Sequence, residues 1–119
     1  MNKRKVGKAY EEKAEAYLKK QGVEILERNF QVRQGEIDLI GYHKGILVFV
    51  EVKYRKDKRK GLPEEAVTIG KQRRISKAAE FYLMLHPKAG NLSCRYDVVA
   101  ICGEEITWYE NAFMHQWKK

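Results

Sequence analysis

Two cysteines, two prolines and three histidines are all that this 119-residue chain holds of those types, and each scarcity excludes something. Cys94 and Cys102 show no metal-ligand spacing and cannot build a disulfide framework, so free thiols in a reducing compartment are expected. His43, His86 and His115 are scattered and cluster with no cysteine, which argues against a zinc site. All three read as ordinary surface or loop histidines. Long apolar runs are missing as well. The run Ile46–Val50 falls far short of the roughly 20 residues that cross a bilayer, and the basic start Met1–Lys5 leads into charged residues rather than the apolar stretch of a signal peptide. A soluble cytoplasmic chain with no membrane partner is the expectation. There are no repeats, low-complexity tracts or linkers, so residues 1–119 read as a single domain long enough to bury its own core.

Positive charge, by contrast, is plentiful. The chain carries 24 Lys+Arg against 16 Asp+Glu, a formal net charge of +8, and such a balance favours polyanionic partners. Six of the cations crowd one stretch: Lys53, Arg55, Lys56, Lys58, Arg59 and Lys60. A like-charge run of this density repels itself unless a polyanion neutralises it.

That run leaves the segment around which the rest is organised, Gly35–Tyr54. Two stretches rich in β-branched and aromatic residues flank Lys44-Gly45, which predicts a hairpin of two antiparallel strands. A link centred there pairs Tyr42 with Leu47, Ile40 with Phe49, Asp38 with Glu51 and Glu36 with Lys53. Because side chains alternate along a strand, Asp38, Glu51 and Lys53 share one face while Leu39, Val50 and Val52 point to the other. Leu47 and Phe49 lie on the same face as Glu51, so the second strand is apolar on both sides apart from Glu51 and Lys53. It reads as a covered central strand. Opposed carboxylates in such a place repel unless something bridges them. A hard divalent cation would do so and still leave positions for water and a phosphate oxygen.

Around the hairpin, Val6–Gln21 repeats apolar residues at helical spacing, with Val6, Tyr10, Ala14, Tyr17 and Leu18 in one stripe and Gly22 as the stop. Glu11 borders that stripe, whereas Glu12 and Glu15 point further away, so Glu11 is the helix acid best placed to reach the sheet. Val23–Phe30 predicts a strand, with Asn29 suited to a local turn. A second helix is expected from Leu62-Pro63-Glu64-Glu65 to about Leu85, ended by His86-Pro87. Its packing face holds Val67, Ile75, Ala78, Ala79 and Tyr82, and also Lys71, which either snorkels from the core or reaches the acid pair. Gln72, Arg73 and Arg74 thicken the basic surface nearby. Ala89–Ser93 reads as a loop, Arg95–Cys102 as a strand, Gly103-Glu104 as a turn into Ile106–Tyr109, and Glu110–Lys119 as a tail. Nothing in the spacing brings Asp97 near Asp38.

Asp38, twelve intervening residues and then Glu51-Val-Lys53 resemble the Asp…Glu-x-Lys signature of the PD-(D/E)XK nuclease superfamily, which includes restriction endonucleases and archaeal Holliday-junction resolvases. More narrowly, Gly7-x-x-x-Glu11-x-x-Ala14, Arg28-Asn29-Phe30, Gly35-Glu-Ile-Asp-Leu-Ile40, Phe49-Val-Glu-Val-Lys-Tyr-Arg55, Glu65-Ala-Val67 with Lys71, and Arg95-Tyr-Asp-Val-Val99 resemble the small bacterial YraN-type family, over nearly the whole chain. Ile37 stands where the superfamily name has proline. The resemblance implies an α/β protein with a mixed central sheet flanked by helices, a restriction endonuclease-like core. It also implies Mg²⁺-dependent hydrolysis of DNA phosphodiesters, with Mn²⁺ as a substitute ion. Asp38 and Glu51 would be the metal ligands, Lys53 the catalytic lysine and Glu11 an auxiliary acid. Branched DNA is the substrate class of the resolvase-like relatives, RNA stays open as a partner, and those relatives act as homodimers. The nucleic-acid contacts would come from Arg55, Lys56, Lys58, Arg59, Lys60, Lys71, Arg73 and Arg74. The competing reading is a nucleic-acid-binding protein whose PD-(D/E)XK site is vestigial or needs a partner.

Overall fold

The computed structural model describes residues 3–55 and 67–117. Lys56, Lys58, Arg59 and Lys60, and the expected helix start at Leu62–Glu65, lie outside them. The order is α1 (Lys3–Lys20), β1 (Glu24–Val32), β2 (Gly35–His43), β3 (Ile46–Tyr54), α2 (Ile69–Leu85), a 3-10 turn (Pro87–Asn91), β4 (Ser93–Cys102) and β5 (Glu105–Phe113). The strands form one sheet in the order β1-β2-β3-β4-β5. Only β3 and β4 run parallel; the crossover through α2 supplies the long connection that parallel neighbours require. This is an α/β fold with a mixed five-stranded sheet and a helix on each face.

The two faces have separate cores. On the α2 side, Ile40, Leu47, Phe49 and Val98 meet Val67, Ile75, Ala78, Ala79 and Tyr82. On the α1 side, Leu39, Val48, Val50, Val99 and Ile101 meet Ala14 and Leu18. β3 is therefore apolar on both faces because both are covered, and each such buried side chain is worth about 1.5–3 kcal/mol relative to exposure. α1 is also tied down electrostatically. Arg28 on β1 grips the Glu15 carboxylate with two donors, and Lys19 adds a contact of 2.9 Å; the Arg28 hydrogen bond, with Lys19 assisting, holds Glu15 down at a pKa of about 2.

The β2–β3 turn has left-handed backbone at both central residues, Lys44 at φ 51° and Gly45 at φ 84°, the requirement of a tight two-residue hairpin. The ladder pairs Tyr42 with Leu47 and Ile40 with Phe49, and stops at Leu39–Val50. The expected pairing of Asp38 with Glu51 and of Glu36 with Lys53 is thus not made: the strands part at Asp38. The second helix also differs from its reading. Thr68 is extended and caps it through a bond from the Lys71 N–H, so α2 begins at Ile69. The expected tail is different too, since β5 continues to Phe113 alongside Tyr96.

Two of the three histidines are not surface residues. His43 is buried, contacts Arg95 at 3.1 Å and sets its ring edgewise to Trp108. His115 bridges the Tyr96 hydroxyl, at 2.6 Å, and Glu80, at 2.9 Å. Asp97, fully buried, accepts bonds from the Arg95 guanidinium, the Trp108 indole and the Asn111 N–H, all at 2.8–3.0 Å. That set of bonds joins β4 to β5. No helix among the described residues is long and apolar enough to cross a membrane.

Candidate active site

The site forms where the strands part. Between Ile37 and Ile40 the alternation of β2 breaks: both isoleucines enter the α2-side core, three positions apart, while Leu39 enters the α1-side core. On the neighbouring strand the irregularity is matched. Asn29, between the pairs Arg28–Leu39 and Phe30–Ile37, has a left-handed φ of 51°, which asparagine tolerates better than most residues. Asn29 therefore sits inside β1 rather than in a turn.

With no ladder partner beyond Leu39, the Asp38 side chain takes over. Its Oδ2 accepts the Val52 N–H at 2.8 Å, while its carboxyl shares a hydrogen bond with Glu51. Glu51 is only 3 % exposed, and Lys71 from α2 reaches its Oε2 at 2.5 Å. Lys71 thus pairs with the acid instead of snorkelling away. Burial first, and then the charge of Glu51, push the Asp38 carboxyl up to about 8, against the opposing Val52 N–H and Lys71 charge. Burial pulls the Lys71 ammonium down, but the Glu51 contact outweighs it and leaves the pKa raised.

Glu11 approaches from α1. Its side chain bonds Asn29, and its pKa is raised by partial burial and by the charges of Asp38 and Glu36. Stacking of Tyr10 on Tyr54, with ring centroids 4.3 Å apart, fixes this part of α1 against the end of β3. Lys53, half-buried on β3, lies two residues beyond Glu51 and so on its face; it makes no ion pair among the described residues. Arg55 closes the strand by donating its N–H to the Ile101 carbonyl at 2.8 Å. Arg73 and Arg74 are exposed on α2.

Sequence reasoning missed two residues of this site. Asn29 holds Glu11, and Gly35 allows α2 to approach: a Cβ at Gly35 would lie 2.1 Å from the Arg74 carbonyl oxygen. Asn and Gly within strand-like segments were the available signals, since both favour irregular backbone or close approach. Among the described residues, no three His, Cys, Asp or Glu side chains are grouped as a ready-made metal cage. The donors in contact are the two carboxyls of Asp38 and Glu51.

These features define an α/β protein with a mixed sheet whose two central antiparallel strands separate around a buried acid pair with a lysine counter-ion. The chain belongs to the uncharacterised protein family UPF0102, whose profile matches residues 10–101, and this is the YraN-type family that its motifs resemble. A UPF0102 protein of Lachnoclostridium phytofermentans is 50 % identical over 113 residues, covering 95 % of this chain and 96 % of that one. One from Caldicellulosiruptor saccharolyticus is 46 % identical over 101 residues, 85 % of each chain. One from Vibrio campbellii is 43 % identical over 114 residues, 93 % of each.

Proposed function

We propose that this protein is a metal-dependent endonuclease with a restriction endonuclease-like core, hydrolysing DNA phosphodiester bonds. One observation carries the reading: Asp38 and Glu51 are in carboxyl contact at the point where β2 and β3 diverge, with Lys71 beside them and Lys53 on the same face. The donor set fits Mg²⁺ or Mn²⁺, because two adjacent carboxyls are hard oxygen ligands whose mutual repulsion a divalent cation would relieve. Asp38 and Glu51 would hold the ion. Bound there, it would supply Lewis acidity, lowering the pKa of a water and polarising a phosphate oxygen.

The chain's own residues supply the remaining parts. The Val52 N–H and the shared hydrogen bond orient Asp38, and Lys71 compensates the charge of Glu51. Lys53 is placed to hold the attacking water and to offset charge on the phosphate. Glu11, kept in place by Asn29, offers a third acid at the edge of the pocket. In sequence, the basic run Arg55–Lys60 follows directly on the strand that bears Glu51 and Lys53, which favours a polyanionic substrate near the acids. Two copies would be needed to cut both strands of a symmetric junction.

The Lys71–Glu51 ion pair also favours a second reading, a nucleic-acid-binding protein with a vestigial site, since it gives the acid a resident counter-ion. Incubation with linear, nicked and branched DNA in Mg²⁺, Mn²⁺ or EDTA separates the two. Metal-dependent cutting that falls by roughly 10²-fold or more in Asp38→Ala, Glu51→Ala and Lys53→Ala is the expected result. Salt-sensitive binding with no cutting in any metal would establish the second reading instead.

A further inference from the structure

Beside the acid pair runs a groove that cleavage chemistry does not use. One cavity of about 410 Å³ is lined by Arg33, Gln34, Glu36, Lys71 and Arg74 among others. A second, of about 600 Å³, is lined by Gln34, Arg73, Arg74, Lys77, Gln116 and Trp117 among others. Gln34 and Arg74 border both, so the two cavities are neighbours, one beside the lysine that holds Glu51 and the other reaching Trp117.

The groove is basic and ends on an aromatic ring. Arg33, Arg73 and Arg74 are exposed and make no ion pair among the described residues. Its acids are already engaged: Gln31 donates to Glu36 at 3.0 Å, and Glu80 is held by Lys77 at 3.4 Å and by His115 at 2.9 Å. Trp117 is 75 % exposed, and its ring stands edgewise to His115 with centroids 4.4 Å apart. His115 is in turn anchored to Tyr96 and Glu80, so the exposed indole rests against a fixed neighbour. An exposed aromatic at the end of a cationic groove is the design that holds single strands, through phosphate neutralisation and stacking of an unpaired base.

We infer that this groove binds an unpaired strand of nucleic acid, with Arg33, Arg73 and Arg74 on its phosphates and a base stacked on Trp117. This deepens the nuclease reading, on which its link to a scissile strand rests: the substrate class becomes DNA with a single-stranded arm next to the cut. Along α2, Lys71 and Lys77 are about 9 Å apart at 1.5 Å of rise per residue.

The test is binding by the full chain in EDTA, where no cutting contributes, to a short oligothymidylate and to a blunt duplex of equal length. Tryptophan emission should fall as the oligothymidylate saturates. Trp117→Ala should weaken oligothymidylate binding between about 5-fold and 100-fold while changing duplex affinity less than about 2-fold, and Trp117→Phe should recover most of that affinity. Unchanged emission at saturation, unchanged affinity in Trp117→Ala, or an equal weakening on duplex would overturn the inference. So would a shift in sedimenting mass on Trp117→Ala with oligothymidylate affinity intact, which would make the surface a protein contact. Cutting is read separately in Mg²⁺: a chain that binds single strands through Trp117 yet never cuts sinks the nuclease reading and upholds the groove.

Discussion

Asp38 is the buried carboxyl on which the proposed site turns. A residue with its raised pKa costs folding free energy when it ionises, and the sign follows directly. Between the ordinary aspartate value near 4 and the folded value of about 8, the folded state binds more protons than the unfolded chain, so stability falls as pH rises through that window. Asp38→Asn removes the charge and keeps an oxygen for the Val52 N–H. In chelator at pH 8 the variant is expected to be more stable than the parent by about 1 kcal/mol or more, close to 4 °C in melting temperature. At pH 4 the gain should shrink towards zero. Thermal denaturation at the two pH values checks this, and an equal gain at both would show that Asp38 is not held protonated. The same residue that supports catalysis in the proposed nuclease is thus one that weakens the fold, a common trade-off at functional sites.

At the scale of elements, the site depends on how closely α2 approaches the β1–β2 turn. Gly35 lies where any Cβ would run into the backbone of Arg74 at 2.1 Å, and backbone cannot rotate out of the way as a side chain can. Gly35→Ala must therefore move either the turn or the helix that carries Lys71. The expected cost is about 1–3 kcal/mol of stability, typical of overpacking, measured by urea denaturation. The distance from Lys71 to Glu51 should lengthen with it, visible in a crystal structure of the variant. On the opposite face α1 is seated by the buried Ala14 and Leu18 and further held by stacking of Tyr10 on Tyr54 and by the Arg28–Glu15 pair, which lie nearer the surface.

For the whole molecule, net charge decides what approaches, and the sheet decides where it lands. A formal +8 favours polyanionic partners from any direction, and in the proposed groove the exposed arginines beside α2 would give that attraction a track. Log affinity for single-stranded DNA is expected to fall linearly with log salt, and Arg33→Ala, Arg73→Ala and Arg74→Ala together should reduce the slope by about 2, at roughly 0.7 for each phosphate that is no longer neutralised. Fluorescence anisotropy at several salt concentrations measures it. A slope unchanged by the triple substitution would place the phosphate-binding cations elsewhere on the surface.

Much of this was legible from order and periodicity alone, because those properties are local. Alternation in Gly35–Tyr54 specified the hairpin, but not its break at Asp38, where the expected pairing with Glu51 is not made; the apolar stripes of the two helices specified that the sheet is covered on both sides. Tertiary structure decided the rest. Whether Lys71 faced water or the acids depended on where α2 packed, and the burial of His43 and the partial burial of His115 depended on strands and rings remote from them in the chain. The parting of β2 from β3 at Asp38, the left-handed Asn29 that meets Glu11, and the close seat of Gly35 on α2 arise from competition between neighbouring segments for the same backbone groups and the same space. Such competition has no sequence period, and only the assembled sheet and helices resolve it.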